Sequence, residues 1–297
     1  MNILVSGSTG LIGSDLVAFL TNKGHSIKRL VRSKAAESKD EIYWDIDSET
    51  IEAQKLEGLD AVVHLAGENI AGRWTSAKKA RIRDSRIKGT RLLRNSLSEL
   101  ERRPKVLVSA SAIGYYGDRG DEVLKETSEP GSGFLADVCR EWEATTAAAT
   151  QKGIRVVNLR FGIVLSPKGG ALNKMLLPFK IGAGGIVGSG DQYWSWVALD
   201  DVIGAIEHAI TTESLKGPMN VVAPNPVTNR EFTRVIGKVL SRPTILPMPK
   251  FAARVALGEM ADALLLASAR VDSSKLRSSG YEFQFSDLEE ALRHLLD

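Results

Sequence analysis

The first residues of the chain whose types and spacing could do chemistry are three glycines near the amino terminus. Gly7, Gly10 and Gly13 lie in the string SGSTGLIGSDL, between an apolar run and a segment with helical periodicity. At this spacing the first glycine permits a tight turn, the second lets the backbone approach a pyrophosphate, and the third lets helix and strand pack closely. Amide groups at the start of the helix can then bind the anion. We therefore predict a dinucleotide site, the alternative being a tight turn without a ligand. The other loop residues expected to contact the dinucleotide are Thr9, Leu11 and Ile12.

Basic and hydroxyl side chains after the second predicted strand favour a phosphorylated dinucleotide. A cofactor with a free ribose 2′-hydroxyl usually meets an acidic residue about twenty residues beyond the glycines. In IKRLVRSKAAE the strand is followed instead by Arg32, Ser33 and Lys34, and the first acid is Glu37. These groups suit a 2′-phosphate, so we expect NADP rather than NAD, with Arg32 and Ser33 among its ligands. The alternative is that Arg32 is an ordinary surface residue.

Composition argues against several other classes of function. The 297 residues include one cysteine, Cys139, so neither an intrachain disulfide nor a four-cysteine zinc site can form. The four histidines show no metal-ligand spacing, and no apolar run approaches the roughly 18 residues of a membrane span. A net charge of +3 gives little reason to expect nucleic acid, although the basic segment 78–94 leaves DNA binding as an alternative. We expect a cytoplasmic monomer or homodimer with no metal, nucleic-acid or membrane partner.

Apolar runs and helical patterns alternate along the first two thirds of the chain. The predicted strands are NILVSG, SIKRLV, AVVHLA, KVLVSA and RVVNLR. Helical periodicity follows over 11–24, 76–100, 133–151 and 200–212. Because strand, helix and strand at this rhythm imply right-handed crossovers, the pattern predicts an α/β fold with a doubly wound parallel sheet of the Rossmann type.

The pattern changes after RFGIVLSP, and this change predicts a second, smaller lobe. Residues 166–195 are rich in glycine, and 241–249 contain three prolines, so neither stretch continues the alternation. We predict that 1–165 and 196–223 form the dinucleotide-binding domain. Residues 166–195 and 224–297 are then predicted to form a C-terminal substrate lobe.

Further motifs follow the glycine loop in a recognisable order. They are WDI, HLAG, KGTRLL, LVSASAIGYYG and GSGDQYWSWVALDDV. With the glycine spacing they resemble the extended short-chain dehydrogenase/reductases, in their epimerase and dehydratase branch. The strings LAGENIAGRW, LLPFKIGAGGIVGSGDQYWSW and VAPNPVTNREF resemble an atypical subgroup of the NAD-dependent epimerase/dehydratase family, labelled nucleoside-diphosphate-sugar epimerases. The resemblance covers essentially the whole chain, and residues from about 247 onward resemble that subgroup's C-terminal segment of unknown function.

The resemblance implies further contacts to the cofactor. Asp45 sits where the family contacts adenine. Leu65, Ala66 and Gly67 match the loop that passes under the riboses and the nicotinamide. Arg86 replaces the asparagine that is usual in the family's next helix, and we expect it to approach the phosphates or a ribose. The alternative for Arg86 is a surface ion pair.

The resemblance also implies that the family's proton relay is missing. In the parent family a tyrosine and, four residues later, a lysine lie on the helix that GFLADVCREWE occupies, and the lysine lowers the pKa of the tyrosine. Phe134 falls at the tyrosine position and Val138 at the lysine position, and neither side chain can ionise. Ser111, or its neighbour Ser109, still offers a hydroxyl at the family's serine position. We also count Ser109 among the cofactor-binding residues.

Two functional interpretations remain open. The first is an NADP-dependent oxidoreductase or epimerase-like enzyme, acting on an unidentified small molecule such as a nucleotide-sugar, with a replacement acid or base. Its catalytic candidates are Ser111, Glu68 and Tyr116, with Tyr115 and Tyr193 as further possibilities, although each has a packing or hydrogen-bonding alternative. The second interpretation is a non-catalytic NADPH-binding sensor or scaffold, which suits the loss of both relay residues.

Overall fold

The computed structural model describes residues 1–33 and 38–297. Its strands are β1 (Asn2–Ser6), β2 (Ser26–Val31), β3 (Glu41–Asp45), β4 (Thr50–Ile51), β5 (Ala61–His64), β6 (Val106–Ala112), β7 (Val123–Leu124), β8 (Arg155–Phe161), β9 (Ile163–Leu165), β10 (Tyr193–Trp194), β11 (Trp196–Ala198), β12 (Gly217–Val221), β13 (Val227–Thr228) and β14 (Arg270–Val271). The central sheet has the order β12-β8-β6-β5-β1-β2-β3-β4. Neighbouring strands in it are parallel except for the antiparallel pair β3 and β4.

Helices cover both faces of this sheet. They are α1 (Leu11–Asn22), α2 (Ser76–Ser98), α3 (Phe134–Thr150), α4 (Gly170–Lys180), α5 (Leu199–Thr211), α6 (Asn229–Leu240), α7 (Lys250–Leu257), α8 (Ser274–Ser278) and α9 (Leu288–Leu296). Alternate residues of β1 point to opposite faces: Val5 packs with Leu16 of α1, and Leu4 packs with Leu93 of α2. The predicted α/β, doubly wound Rossmann architecture is therefore confirmed. Within the described residues no helix is both long and apolar enough to cross a bilayer.

The C-terminal part has an apolar cluster of its own. Leu172 of α4, Phe232 of α6 and Leu292 of α9 are fully buried in it, together with Trp196 of β11. One strand pair connects this part to the rest, because β14 pairs with β7 in parallel. The predicted boundaries between domain and lobe stay a prediction.

The turn between β1 and α1 requires glycine at positions 7 and 13. Gly7 has a φ of +69°, which other residues rarely adopt, and a Cβ there would lie 2.9 Å from the amide nitrogen of Ala66. A Cβ on Gly13 would lie 2.1 Å from the carbonyl oxygen of Gly7. A Cβ on Gly10, in contrast, would meet only that same oxygen, at 3.2 Å. The outer side of Gly10 is therefore open, as an approaching ligand would require.

These distances predict different costs for alanine at two of the glycines. Gly13→Ala should lower the free energy of unfolding by about 2 kcal/mol or more, because its methyl group must push helix and turn apart. Gly10→Ala should cost less than about 1 kcal/mol, since its methyl group meets one oxygen at near-contact distance. Urea unfolding of both variants measures the difference. Equal losses for the two variants would contradict this description of the turn.

Candidate functional site

The amino terminus of α1 presents unpaired amide groups at the carboxyl edge of the sheet. Gly10 caps the helix without a side-chain hydrogen bond, and the first turn contains no acidic residue. The amides of Leu11 and Ile12 therefore have no acceptor within the helix, and the helix dipole adds positive potential at the same point. Thr9 is exposed beside them. This geometry fits an anion such as a pyrophosphate.

A buried serine fixes the loop after β5 against the glycine turn. The amides of Leu65 and Ala66 donate to Ser6 Oγ, at 3.1 and 3.2 Å. Because Ser6 Oγ accepts both, its own proton is directed to His64 Nδ1, 2.7 Å away. The predicted loop residues Leu65 and Ala66 thus lie directly beside Gly7.

The same hydrogen-bond chain continues through His64 into the helices. With Nδ1 accepting, the ring proton lies on Nε2, which donates to Thr90 Oγ1 at 3.0 Å. Trp142 Nε1 donates to the same oxygen at 2.9 Å. Burial lowers the pKa of His64 to about 4, so the ring is neutral at neutral pH. Ser109 pairs with His64 across β5 and β6, and its hydroxyl is fully buried.

Arg86 lies half-buried beside the loop, without a carboxylate partner. Its Nη1 donates to the carbonyl oxygens of Ile82, at 3.0 Å, and of Glu68, at 3.1 Å. The guanidinium carbon lies 5.1 Å from the ring centre of Trp142, and a Cβ on Gly67 would lie 3.1 Å from that carbon. Burial lowers the pKa of Arg86, and within the described residues no acid lies within 4.0 Å of it. The alternative of a surface ion pair is therefore not seen among the described residues.

Glu68 carries a paired carboxylate at the rim of this region. Lys78 Nζ lies 2.7 Å from Glu68 Oε1, and Arg81 Nε lies 3.6 Å from the same oxygen. The hydrogen bond from Lys78 lowers the pKa of Glu68, so the carboxylate is ionised at neutral pH. In this arrangement Glu68 can accept a proton more readily than it can donate one, and its catalytic role stays a prediction.

Ser111 and Tyr116 belong to a buried polar cluster. Ser111 Oγ donates to Glu143 Oε1 at 2.6 Å, and Arg160 donates to both oxygens of this carboxylate at 2.8 Å. Arg160 Nη1 also donates to the hydroxyl of Tyr116, at 2.9 Å, which itself donates to Asn220 Oδ1 at 2.7 Å. Burial raises the pKa of Tyr116 to about 12. Ser111 is 3% exposed and Tyr116 is 0% exposed, which favours a structural role for both hydroxyls.

Periodicity gave no signal for Glu143 and Arg160, although they hold this cluster together. The position of Arg160 in the sequence could have indicated the cluster. Arg160 sits inside an otherwise apolar strand, where a charge needs a partner, and it pairs in register with Ser111.

Helix α3 contains neither of the two residue types that form the parent relay. Phe134 and Val138 are four residues apart, and Phe134 packs edge-on against Trp74 with ring centres 5.2 Å apart. Leu135 and Cys139, also four apart, face the turn that follows β6. Burial raises the pKa of the Cys139 thiol to about 12. The register that assigns Phe134 and Val138 to the relay positions stays a prediction, but α3 contains no tyrosine and no lysine in any register.

The other two tyrosines considered as acids have cationic neighbours. The guanidinium of Arg160 lies 3.5 Å from the ring centre of Tyr115, and that of Arg270 lies 5.0 Å from the ring centre of Tyr193. Both tyrosines are half-buried. They are thus more accessible than Tyr116.

The residues predicted to contact the adenosine side lie at the ends of the next two strands. Arg32 and Ser33 follow β2 and are exposed, and Arg32 forms no ion pair with a described residue. Lys34 and Glu37 lie outside the described residues. Asp45 ends β3, where its carboxylate accepts hydrogen bonds from the Ser48 hydroxyl and the Asp47 amide, which lower its pKa.

Two family models together match most of the chain. Residues 3–223 match the model described as the NAD dependent epimerase/dehydratase family. Residues 248–295 match a second model, described only as a domain of unknown function. The resemblance inferred from the motifs is therefore confirmed, including that of the C-terminal segment.

Known proteins match over nearly the full length. An epimerase family protein of Mycobacterium bovis, Mb2239, is 44% identical over 291 residues, which are 98% of this chain and 96% of that protein. A chloroplastic SDR39U1 homolog of Arabidopsis thaliana is 42% identical over 305 residues, covering 100% of this chain and 87% of the relative. The crystal structure of human SDR39U1 with NADPH has a TM-score of 0.90 and 31% identity, and the match covers 99% of each chain.

The neutral state of buried His64 predicts a pH-dependent loss of stability. In the unfolded chain the imidazole has a pKa near 6.5, whereas in the folded chain it is about 4. The stability it contributes is fully present above about pH 6.5 and is lost as the pH falls towards 4, by about 3 kcal/mol. Urea unfolding at a series of pH values measures this loss.

The control for this prediction is His64→Gln, which removes the titrating group. The variant should be less stable at neutral pH, and it should lack this component of the pH dependence. Parallel stability curves for the two proteins would contradict a buried, neutral His64.

Proposed function

Because the chain belongs to the NAD-dependent epimerase/dehydratase family, we propose that it binds NADP(H) and acts on an unidentified small molecule as an atypical reductase or epimerase. The observation that carries this proposal is the glycine turn, which is followed by the first amides of α1 and lies against the loop held by Ser6. The NADPH found with human SDR39U1 supports the phosphorylated cofactor. The cytoplasmic location and the monomeric or homodimeric state stay predictions.

Each part of the cofactor has a proposed set of ligands in this chain. The amides of Leu11 and Ile12 would hold the pyrophosphate, and Arg32 with Ser33 would hold the 2′-phosphate. Asp45 would contact the adenine side, and the loop 65–67 the nicotinamide side. When bound, the nicotinamide supplies or accepts a hydride.

Arg86 is proposed as the cation that compensates for the missing lysine. It lies against Gly67 and lacks an acidic partner among the described residues, so its charge is available to a ribose hydroxyl or a phosphate. A guanidinium stays protonated and cannot act as the acid. The proton in a reduction must therefore come from another group. Ser111, Glu68 and Tyr116 remain the candidates, and the ionised Glu68 would first have to take up a proton.

A second candidate function is an NADPH-binding sensor or scaffold without turnover. The observation that favours it is the engagement of the Ser111 and Tyr116 hydroxyls inside the buried cluster, next to a helix without tyrosine or lysine. General acid–base help is typically worth about 10²–10⁴-fold in rate, so its loss would leave little catalysis.

Cofactor preference tests the proposed phosphate site. We expect the Kd for NADPH to be at least about tenfold lower than that for NADH, because a charge-assisted hydrogen bond to the 2′-phosphate is absent with NADH. Arg32→Ala should raise the Kd for NADPH about tenfold and leave the Kd for NADH almost unchanged. Nicotinamide fluorescence titration measures both constants.

The matched control is Arg29→Ala on β2, the strand that Arg32 follows. The guanidinium of Arg29 lies 3.3 Å from the carboxylate of Glu41. This variant should leave both dissociation constants unchanged. A wild-type preference for NADH would overturn the assignment of NADP.

Turnover separates the two candidate functions. NADPH oxidation is followed with a panel of carbonyl compounds that includes nucleotide-sugars, and any enzyme-dependent oxidation excludes the scaffold. The variant that removes the true acid among Ser111→Ala, Glu68→Gln and Tyr116→Phe should then lower kcat by about 10²-fold or more. If all three keep full activity, none of these side chains is the acid. Tight NADPH binding without turnover on any compound would favour the sensor or scaffold.

A further inference from the structure

Exposed apolar side chains concentrate on one surface of the C-terminal part, which we call the apolar surface. Its members are Leu177, Ile181, Ile245, Leu246, Met248, Phe251 and Val255. Among the described residues, the only other exposed large apolar side chains are Met1 and Val123. Phe251 is 70% exposed and Val255 is 74% exposed, so most of each side chain contacts solvent. Exposed apolar side chains grouped on neighbouring segments are typical of an interaction site.

Hydrogen bonds join the two segments that form the apolar surface. Arg242 Nε donates to the carbonyl oxygen of Lys180 at 2.8 Å. The amide of Met248 donates to the carbonyl of Ile186 at 2.8 Å, and the amide of Gly188 donates to the carbonyl of Met248 at 2.9 Å. The end of α4 and residues 242–250 therefore lie side by side, and α7 continues directly from them.

Each of the two helices contributes one exposed apolar pair. Leu177 and Ile181 are four residues apart at the end of α4, and Phe251 and Val255 are four apart on α7. Residues at this spacing share one face of a helix. Ala253 of α7 is fully buried, so the helix is anchored on its other side. The exposed pairs thus belong to fixed elements.

The charge of the two segments is one-sided. Residues 166–190 and 241–258 contain no aspartate or glutamate. The acids that follow them directly, Asp191 and Glu259, are paired with Arg230 and Lys79. The cations of the two segments are Lys168, Lys174, Lys180, Arg242, Lys250 and Arg254. Lys168 pairs with Asp15 and Arg254 with Asp262. The other four are exposed and form no ion pair with a described residue.

We propose that the apolar surface docks onto a bilayer that contains anionic lipid. Apolar side chains would enter the interface while the flanking cations meet lipid phosphates, the combination on which peripheral membrane binding depends. A second copy of the chain fits this surface less well, because it would bring two sets of unpaired cations together.

This proposal departs from the sequence-based expectation of no membrane partner. That expectation rested on the absence of a long apolar run. A search for one long apolar run does not detect two short segments that become neighbours only in the fold. The proposal is independent of the cofactor and of any turnover.

Vesicle flotation of the full chain tests the proposal. The protein should float with vesicles of phosphatidylcholine and phosphatidylglycerol, and much less with phosphatidylcholine alone or at high salt. Phe251→Asp should weaken binding to the anionic vesicles by about tenfold or more. Lys180→Glu and Lys250→Glu should each weaken it by about fivefold.

The matched control is Val123→Asp, at an exposed apolar position outside the apolar surface, which should not change binding to the vesicles. Thermal unfolding and NADPH titration check that each variant is folded.

Three results would overturn the proposal. The first is an absence of flotation with the anionic vesicles. The second is equal binding by wild type and a folded Phe251→Asp variant. The third is a concentration-dependent dimer, seen by sedimentation, that Phe251→Asp breaks while vesicles do not compete, since the surface would then be an interface between copies of this chain.

Discussion

The candidate site depends on one buried hydroxyl, that of Ser6 at the end of β1. It accepts the amides of Leu65 and Ala66 and donates to His64, so it fixes two neighbouring strand ends relative to each other. Gly7, the next residue, has a positive φ, and this loop lies so close that a Cβ would be 2.9 Å from the amide nitrogen of Ala66. A buried group with three partners has little freedom to move. The amides at the start of α1 are therefore placed by the core of the sheet.

The local structure of the chain was predictable from the sequence. The buried strands, the helices between them and the glycine turn each have a signature within about a dozen residues, and the structure has them nearly where the patterns put them. The polar clusters were not predictable in this way. Arg160 meets Glu143 from a different element, and Ser111 reaches the same carboxylate across 32 positions, so no periodicity connects them. Contacts of this kind depend on the packing of α3 against the sheet.

The chemistry of the site differs from that of a tyrosine–lysine enzyme in a specific way. A positive charge is present, because Arg86 lies half-buried beside Gly67. Helix α3 contains no tyrosine and no lysine, and burial raises the pKa of its Cys139 thiol, which keeps the thiol protonated. The structure thus places a guanidinium next to a helix that contains no tyrosine.

The C-terminal segment that matches a family model of its own is not an autonomous module. β14 pairs with β7, and Leu292 of α9 is buried in one cluster with Leu172 of α4 and Phe232 of α6. A polypeptide cut before this segment would leave an open apolar seam on the remainder, and the excised piece would lack a core. We therefore expect the segment and the rest of the chain to unfold as one cooperative unit.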